Sequence, residues 1–394
     1  MSYIKTQFKL AIAALMRRLP LKRKLVVSNF LGRRYGDNSK YVVEALHELD
    51  DTIEIVWLKD GGYSYSVPEY VRTVERVRGL KRYYEYATAK VWLDTHYPPL
   101  DIIRRKDQIF IETWHGGLSI KKVANANKAF KKQNKKNPIT EYIVRNASVF
   151  VSNSDHINHV YRDEFDYTGP IYKCGYPRSD VLFADNTETR NKVCNYYNID
   201  SNKKILLYVP TFRDFDVNES GAKERYEYLY GIDFDELTKQ LKNKFGGDWV
   251  VFVRLHPNLI QTELDICSGK NVFDTTQYTD IQDLVVSCDA CISDYSSAIF
   301  DAAIRNVPCF TFARDFDEYK ETRGVEFDLS ELPFPYARDN DELMRSVAGF
   351  DSDGYKRKWE AFKVRTGLHE TGHAAYDVAK KIKDYIDGKP ITWE

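Results

Sequence analysis

Along most of its length the chain repeats one pattern: a short apolar run, a turn rich in Gly, Asp, Asn or Ser, then an amphipathic helical stretch. Alternation of this kind builds βαβ units, and so parallel sheets with helices on both faces. Strands are predicted at 24–30, 53–58, 90–95, 108–113, 148–153 and 170–174, with helices at 39–49, 71–86 and 156–165. The pattern restarts after the charged, turn-rich stretch 185–190. Beyond it, strands are predicted at 204–208, 249–255, 290–293 and 308–312, and helices at 234–244, 281–286, 297–305 and 341–350. A chain of 394 residues suits two domains. The expected fold class is α/β, with two doubly wound domains of similar size whose facing strand ends would form a cleft.

Charge narrows the partners. The 58 basic side chains balance 58 acidic ones, which argues against a protein that coats nucleic acid. The six cysteines are too few for a disulfide framework in a chain this long. Cys288 and Cys291 form a C-x-x-C, but 284–293 reads as a buried strand and no second pair completes a zinc site. This usage suits a reducing, cytosolic compartment. No stretch reaches the ~20 apolar residues of a membrane span. Residues 1–24 carry seven basic residues and no acid, with Phe8, Ala11, Ile12, Leu15 and Met16 at helical spacing. Such a segment is expected to be a basic amphipathic helix, lying on an anionic membrane surface or packed on its own domain.

Polar motifs sit at the ends of the predicted strands, where open parallel sheets bind ligands. Trp114-His115-Gly116-Gly117 closes the strand at 108–113. It puts an imidazole suited to proton transfer on a turn that backbone can approach closely. Seven lysines follow within 121–136, including Lys121, Lys122, Lys128, Lys131 and Lys132, with no acid among them. A run beside that turn favours an anionic partner: a phosphate-rich polymer, a nucleotide or a lipid surface. Arg254 and His256 lie two apart before Pro257, so they share a strand face as a phosphate clamp. Thr211 and Arg213 repeat that arrangement after the strand at 204–208. Ser296 and Ser297 precede a helix, making a capped anion-binding terminus, and Asp301, one turn in, is placed to accept from a ribose or base.

Two further motifs point elsewhere. His369-Glu370-Thr371-Gly372-His373 matches the zinc-peptidase H-E-x-x-H pattern, but Gly372 interrupts the helix that pattern needs, and Thr371 reads as the N-cap of a helix at 374–386. The D-x-D pattern occurs at 214–216, 233–235 and 315–317, in contexts that read as caps and turns.

Together the motifs resemble the glycerophosphotransferases that use CDP-glycerol, and their relatives that use CDP-ribitol, in teichoic acid and capsular polymer synthesis. The resemblance covers roughly residues 25–385. It rests on Trp114-His115-Gly116, 151–155, 175–180, 210–213, Arg254-Leu255-His256-Pro257, 293–297 with Asp301, and Tyr319 with Arg323-Gly324. The chain departs from it in having Gly117-Leu118-Ser119-Ile120-Lys121 where the family often has Pro-Leu-Lys, and in the lysine-rich insert.

The resemblance implies two Rossmann-like domains of the GT-B type. It implies catalytic His115 and His256, converging across the interdomain gap on one diphosphate. It further implies donor contacts at Thr211, Arg213, Arg254, Ser296, Ser297 and Asp301; the lysines, by their charge, are expected to meet the anionic acceptor. The implied reaction transfers glycerol phosphate from CDP-glycerol to a hydroxyl of a teichoic-acid-like or capsular polymer and releases CMP. Alternatives are ribitol phosphate from CDP-ribitol, a sugar nucleotide on the same fold, and, from another class, a zinc peptidase. No cofactor or metal is required by this chemistry. The expected partners are the CDP-alditol, a lipid-linked or phosphate-rich acceptor and an anionic membrane surface, with a homo-oligomer left open. The expected layout is a membrane-surface helix at 1–24, an acceptor-side domain at 25–185, a donor domain at 195–368 and a terminal helix at 371–394, working peripherally at the cytoplasmic face of the membrane.

Overall fold

A computed structural model describes residues 12–126, 137–213, 221–256, 269 and 271–393. The chain divides into two compact units. The first combines Met1–Gly116, Asn134–Asp180 and His369–Glu394; the second combines Gly117–Gln133 and Val181–Leu368.

The first unit holds a seven-stranded parallel sheet in the order β3-β2-β1-β4-β5-β6-β7. Its strands are β1 (Lys22–Val27), β2 (Glu54–Lys59), β3 (Val71–Glu75), β4 (Ala89–Asp94), β5 (Ile109–Glu112), β6 (Val149–Ser152) and β7 (Ile171–Lys173). Helices α1 (Asp37–Leu49), α2 (Lys81–Thr88), α3 (Pro138–Asn146) and α4 (Asp155–Asp163) connect them. Both faces are covered, so the strands are apolar throughout and alternate residues feed two cores. Leu25 and Val27 join one with Ile55, Trp57 and Leu93, while Val26 joins the other with Val56, Trp92 and Phe110.

The second unit repeats the topology with six parallel strands, β10-β9-β8-β11-β12-β13. These are β8 (Lys204–Val209), β9 (Trp249–Val253), β10 (Val272–Asp274), β11 (Ala290–Ser293), β12 (Cys309–Phe312) and β13 (Tyr336–Ala337). Helices α5 (Thr187–Tyr196), α6 (Ala222–Tyr230), α7 (Phe234–Phe245), α8 (Ile281–Ser287), α9 (Ala298–Ile304), α10 (Phe316–Thr322), α11 (Asn340–Ala348) and α12 (Ser352–Thr366) surround it. The last helix, α13 (Ala374–Ile386), lays Val378, Ala379, Ile382 and Ile386 on the core of the first unit. Both sheets are therefore doubly wound, as the alternating pattern implies, and in each the strand order reverses beside the first strand: at β1/β4 and at β8/β11.

Four local expectations give way. The helix expected at 71–86 is strand β3 followed, past Gly79, by α2. Val71 and Val74 fit an apolar helical stripe equally well, but they are buried in an edge strand paired with Ile55 through Lys59. Residues 284–287 are the end of α8 rather than strand, Cys288 is its C-cap and Cys291 lies in β11. Both thiols are buried, and burial pushes them well above the ordinary thiol range. Thr371 does not cap α13: the first backbone N–H groups, at Ala374 and Ala375, donate to the Asp180 carboxylate at 2.9 and 2.7 Å. The basic segment is not one helix to residue 24. Residues 12–16 are helical, Ala13 and Met16 pack on the core under β1, and Lys22–Val27 is already strand. There Lys24 is buried against Glu85 at 2.7 Å. Residues 1–11 lie outside the described part.

Candidate functional site: two strand-end clusters

In the first unit, the chain leaving β5 makes a turn that is held at four successive carbonyls. Asn38 Nδ2 donates to Thr113 O and Trp114 O, Arg178 Nη1 donates to His115 O at 2.6 Å, and Tyr176 Oη donates to Gly116 O at 3.0 Å. Trp114 sits at φ +54°, with its N–H donating to Glu112 Oε1. The cost of that left-handed residue, about 1–3 kcal/mol, is offset by these bonds. The product is a fixed imidazole. His115 Nδ1 lies 3.1 Å from the carbonyl oxygen of Thr95, so Nδ1 carries the proton and Nε2 is left as the basic nitrogen.

His96 stacks on His115 with ring centroids 3.9 Å apart and planes within 15°. Burial, then the neighbouring His115, hold His96 well below the usual histidine range, so it is a neutral ring. Below the pair, Asp94 and Glu112 face each other in the β4–β5 register. Both are buried, and Asp94 Oδ2 and Glu112 Oε2 have no hydrogen-bond partner among the described residues. Burial pushes Asp94 up to about 6, and burial together with Asp94 pushes Glu112 well above the carboxylate range.

In the second unit, the strand order reverses between β8 and β11, and a cavity of about 310 Å³ opens there. Thr211 and Phe212 from the end of β8, Arg254 and His256 from β9, Ser296 before α9, and Lys121, Tyr319 and Arg323 line it. Three cationic side chains line it and, among the described residues, no carboxylate does. Arg254 is buried, and its Nη1 donates to Thr275 O and Tyr278 O at 2.9 and 2.8 Å, which fixes its direction. The His256 ring lies 5.3 Å from that of Phe212. Lys121 reaches the cavity because its backbone bridges antiparallel to Val325, with Lys122 N bonded to Gly324 O and Lys122 Nζ paired to Glu326 at 2.6 Å. Thr211 supplies a further signal. It is only 7% exposed, yet its hydroxyl has no hydrogen-bond partner among the described residues. Such a group is stable only if a ligand or solvent completes it.

The cavity thus gathers Thr211, Arg254, His256, Ser296 and Lys121. Arg213 lies elsewhere: its guanidinium donates to Asp294 at 2.8 Å and twice to Asp315 at 2.7 and 2.9 Å, beside the stacked rings of Tyr295 and Tyr319. Asp301 is buried and accepts from Gln282 Nε2 at 2.9 Å, inside the unit. Ser297 is the N-cap residue of α9 but makes no side-chain capping bond; Ser296 Oγ accepts from Ala298 N at 3.4 Å instead. Lys122 is spent on Glu326, while Lys128, Lys131 and Lys132 lie outside the described residues.

The H-E-x-x-H segment has a structural explanation. Glu370 accepts from Asn153 Nδ2, Tyr176 N and Ser179 Oγ, and His373 pairs with Asp377 at 2.9 Å. Among the described residues, no group of three His, Cys, Asp or Glu is placed to hold a metal. Sequence reasoning missed His96, Asn38, Arg178, Tyr319 and Arg323 as site residues. His96 ends a strand as His115 does, and the others fall in motifs noted for their resemblance alone or, for Asn38, at the start of a helix.

Residues 11–384 match the family described as CDP-Glycerol:Poly(glycerophosphate) glycerophosphotransferase. The chain is 30% identical over 375 residues to the teichoic acid poly(glycerol phosphate) polymerase of Staphylococcus epidermidis, covering 91% of this chain and 50% of that protein. It spans only half the length of that relative. The teichoic acid glycerol-phosphate transferase of Staphylococcus aureus is 29% identical over 398 residues, with 96% of each chain covered. A solved structure of the wall teichoic acid polymerase TagF soaked with CDPG superposes with a TM-score of 0.80 at 25% identity, over 97% of this chain and 94% of that one.

Proposed function

Since the chain belongs to the CDP-glycerol:poly(glycerophosphate) glycerophosphotransferase family, we propose that it transfers glycerol phosphate from CDP-glycerol to a hydroxyl of a teichoic-acid-like acceptor and releases CMP. The observation that carries this reading is the cavity at the β8/β11 reversal. Lys121, Arg254 and Arg323 line it with no carboxylate among the described residues, and the buried hydroxyl of Thr211 has no partner among them. A diphosphate satisfies both features.

The acceptor oxygen attacks the β-phosphorus of the donor. Its bond to phosphorus forms as the bond from that phosphorus to the bridging oxygen breaks, and CMP leaves with the electron pair. His115 Nε2 accepts the acceptor proton, since Nδ1 is committed to Thr95. Arg254, Lys121 and His256 hold the diphosphate and stabilise the charge that builds on CMP. The reading assigns charge neutralisation to these side chains and adds no metal.

Attachment is proposed at an anionic bilayer. Residues 1–19 are basic with no acid, and Leu15 is 64% exposed while Ala13 and Met16 pack inward. No helix among the described residues is long and apolar enough to cross a membrane. Removing residues 1–19, which spares β1, is expected to abolish binding to phosphatidylglycerol vesicles while turnover of a soluble acceptor persists. Equal vesicle binding by the shortened chain defeats the attachment.

The deciding experiment is CMP release from CDP-glycerol, CDP-ribitol and UDP-sugars, followed by mass analysis of the product. A glycerol-phosphate increment from CDP-glycerol supports the proposal. A ribitol-phosphate increment moves the donor, and a hexose increment overturns the reaction class.

A further inference from the structure

The loop that leaves β1 is held in an expensive shape beside the His96–His115 pair. Phe30 and Leu31 are consecutive non-glycine residues at φ +43° and +60°. Each costs about 1–3 kcal/mol and persists only where surroundings over-determine it. Here they do. Phe30 N donates to Thr95 Oγ1 at 3.0 Å, Asn29 Nδ2 donates to Arg34 O, and Gly32 O accepts from Asp60 N and Tyr65 Oη at 2.8 and 2.7 Å. Gly32, at φ +83°, sits so close to β2 that a Cβ there would lie 2.7 Å from Leu58 O.

This shape presents two groups to the histidines. The Phe30 ring stands edge-on to His96 at 4.9 Å and to His115 at 6.5 Å. Behind it, the Arg33 guanidinium lies 5.9 Å from the Phe30 centroid and 5.3 Å from Tyr63. Aromatic rings flank it, its Nε is buried without a hydrogen-bond partner, and it makes no ion pair among the described residues. A half-buried, always-charged group whose Nε has no hydrogen-bond partner among the described residues carries a desolvation cost. It is spared that cost when an anion seats on it.

We infer that Arg33 is an acceptor-binding residue, taking the phosphate next to the hydroxyl that His115 deprotonates. The inference rests on the transfer reaction proposed above, and adds the residue that holds the phosphate at the acceptor end. Phe30 spaces the guanidinium from the imidazole by one ring. The phosphate and free hydroxyl of a three-carbon unit, each with its contacts, cover a gap of that order. Of the lysines assigned to the acceptor from sequence, Lys121 and Lys122 belong to the other unit; Arg33 follows β1, in the same unit as His115.

The test compares wild type with Arg33→Gln and Arg33→Lys, using CDP-glycerol as donor and either a synthetic glycerol-phosphate oligomer or glycerol as acceptor. In Arg33→Gln, the KM for the oligomer is expected to rise at least about tenfold. The KM for CDP-glycerol and the rate with glycerol should stay within twofold, and Arg33→Lys should recover part of the loss. Calorimetric titration of the oligomer without donor should show the same weakening. An unchanged oligomer KM and affinity, or equal damage with both acceptors, overturns the inference. If the titration depends on Arg33 while no CDP-alditol is turned over, the anion site stands and the transfer reading fails.

Discussion

His115 Nδ1 faces the Thr95 carbonyl at 3.1 Å, and that one contact decides which nitrogen of the ring can act as a base. Replacing His115 by Asn keeps a donor near Thr95 O but removes the basic nitrogen. Transfer is expected to fall about 10²–10⁴-fold, with the thermal midpoint unchanged. Loss of less than fivefold in CMP release would remove His115 from the chemistry.

The Asp94–Glu112 pair makes stability depend on pH in a direction opposite to most carboxylates. With Asp94 at about 6 when folded against about 3.9 for an unperturbed aspartate, the native state holds a proton that the unfolded chain releases. The contribution is intact below pH 4 and is lost as pH rises through 6. Asp94→Asn keeps an acceptor for His96 N and cannot ionise. Relative to wild type, its stability in urea should improve by roughly 2 kcal/mol between pH 4 and pH 7. A constant difference across that range refutes the assignment.

Thr211→Val removes a hydroxyl that bonds nothing in the described protein and replaces it with a group of equal shape. Folding should be unharmed, because no partner is orphaned. The KM for CDP-glycerol should rise about tenfold, the equivalent of one hydrogen bond of roughly 1.4 kcal/mol. Unaltered donor affinity would place the diphosphate away from this hydroxyl.

Arg213 makes the opposite forecast. Arg213→Met leaves Asp294 and Asp315 buried without their cation, and should cost about 3–5 kcal/mol of stability. A variant as stable as wild type that has lost only donor affinity would return Arg213 to the donor site.

The HETGH segment offers a clean negative control. His369→Ala should leave transfer and its insensitivity to chelator unchanged, because its ring is exposed and the segment's buried work is done by Glu370. Activity abolished by chelator in wild type but not in the variant would revive the metal reading.

How much of this was legible in the sequence follows from what each feature depends on. The central strands were readable because buried parallel strands are continuous apolar runs, and β11 was placed at its observed ends. The 71–86 segment failed because two valines three apart serve a helix and an edge strand alike. His115, His256 and Thr211 stand out in the sequence because polar residues at predicted strand ends are conspicuous, and the structure places all three at strand ends. Arg213 carried the same signal, but its partners lie 81 and 102 residues away, and no local pattern shows whether a guanidinium is free or buried in carboxylates. Asp301 differs only in facing Gln282, a matter of helix rotation. Arg33 left no mark at all, since its meaning lies in the lack of a partner and in a backbone shape unmarked by the residue types.

The closing helix α13 has a consequence for biogenesis. The sheet that carries His115 is built from strands complete by residue 173, yet part of the cover over one of its faces, the part beside α1, is not synthesised until residues 374–386 emerge. During translation that share of the apolar face must wait, uncovered, while the whole second unit is made. Premature stop codons anywhere after residue 181 should therefore yield sticky, chaperone-bound chains instead of a usable half-enzyme.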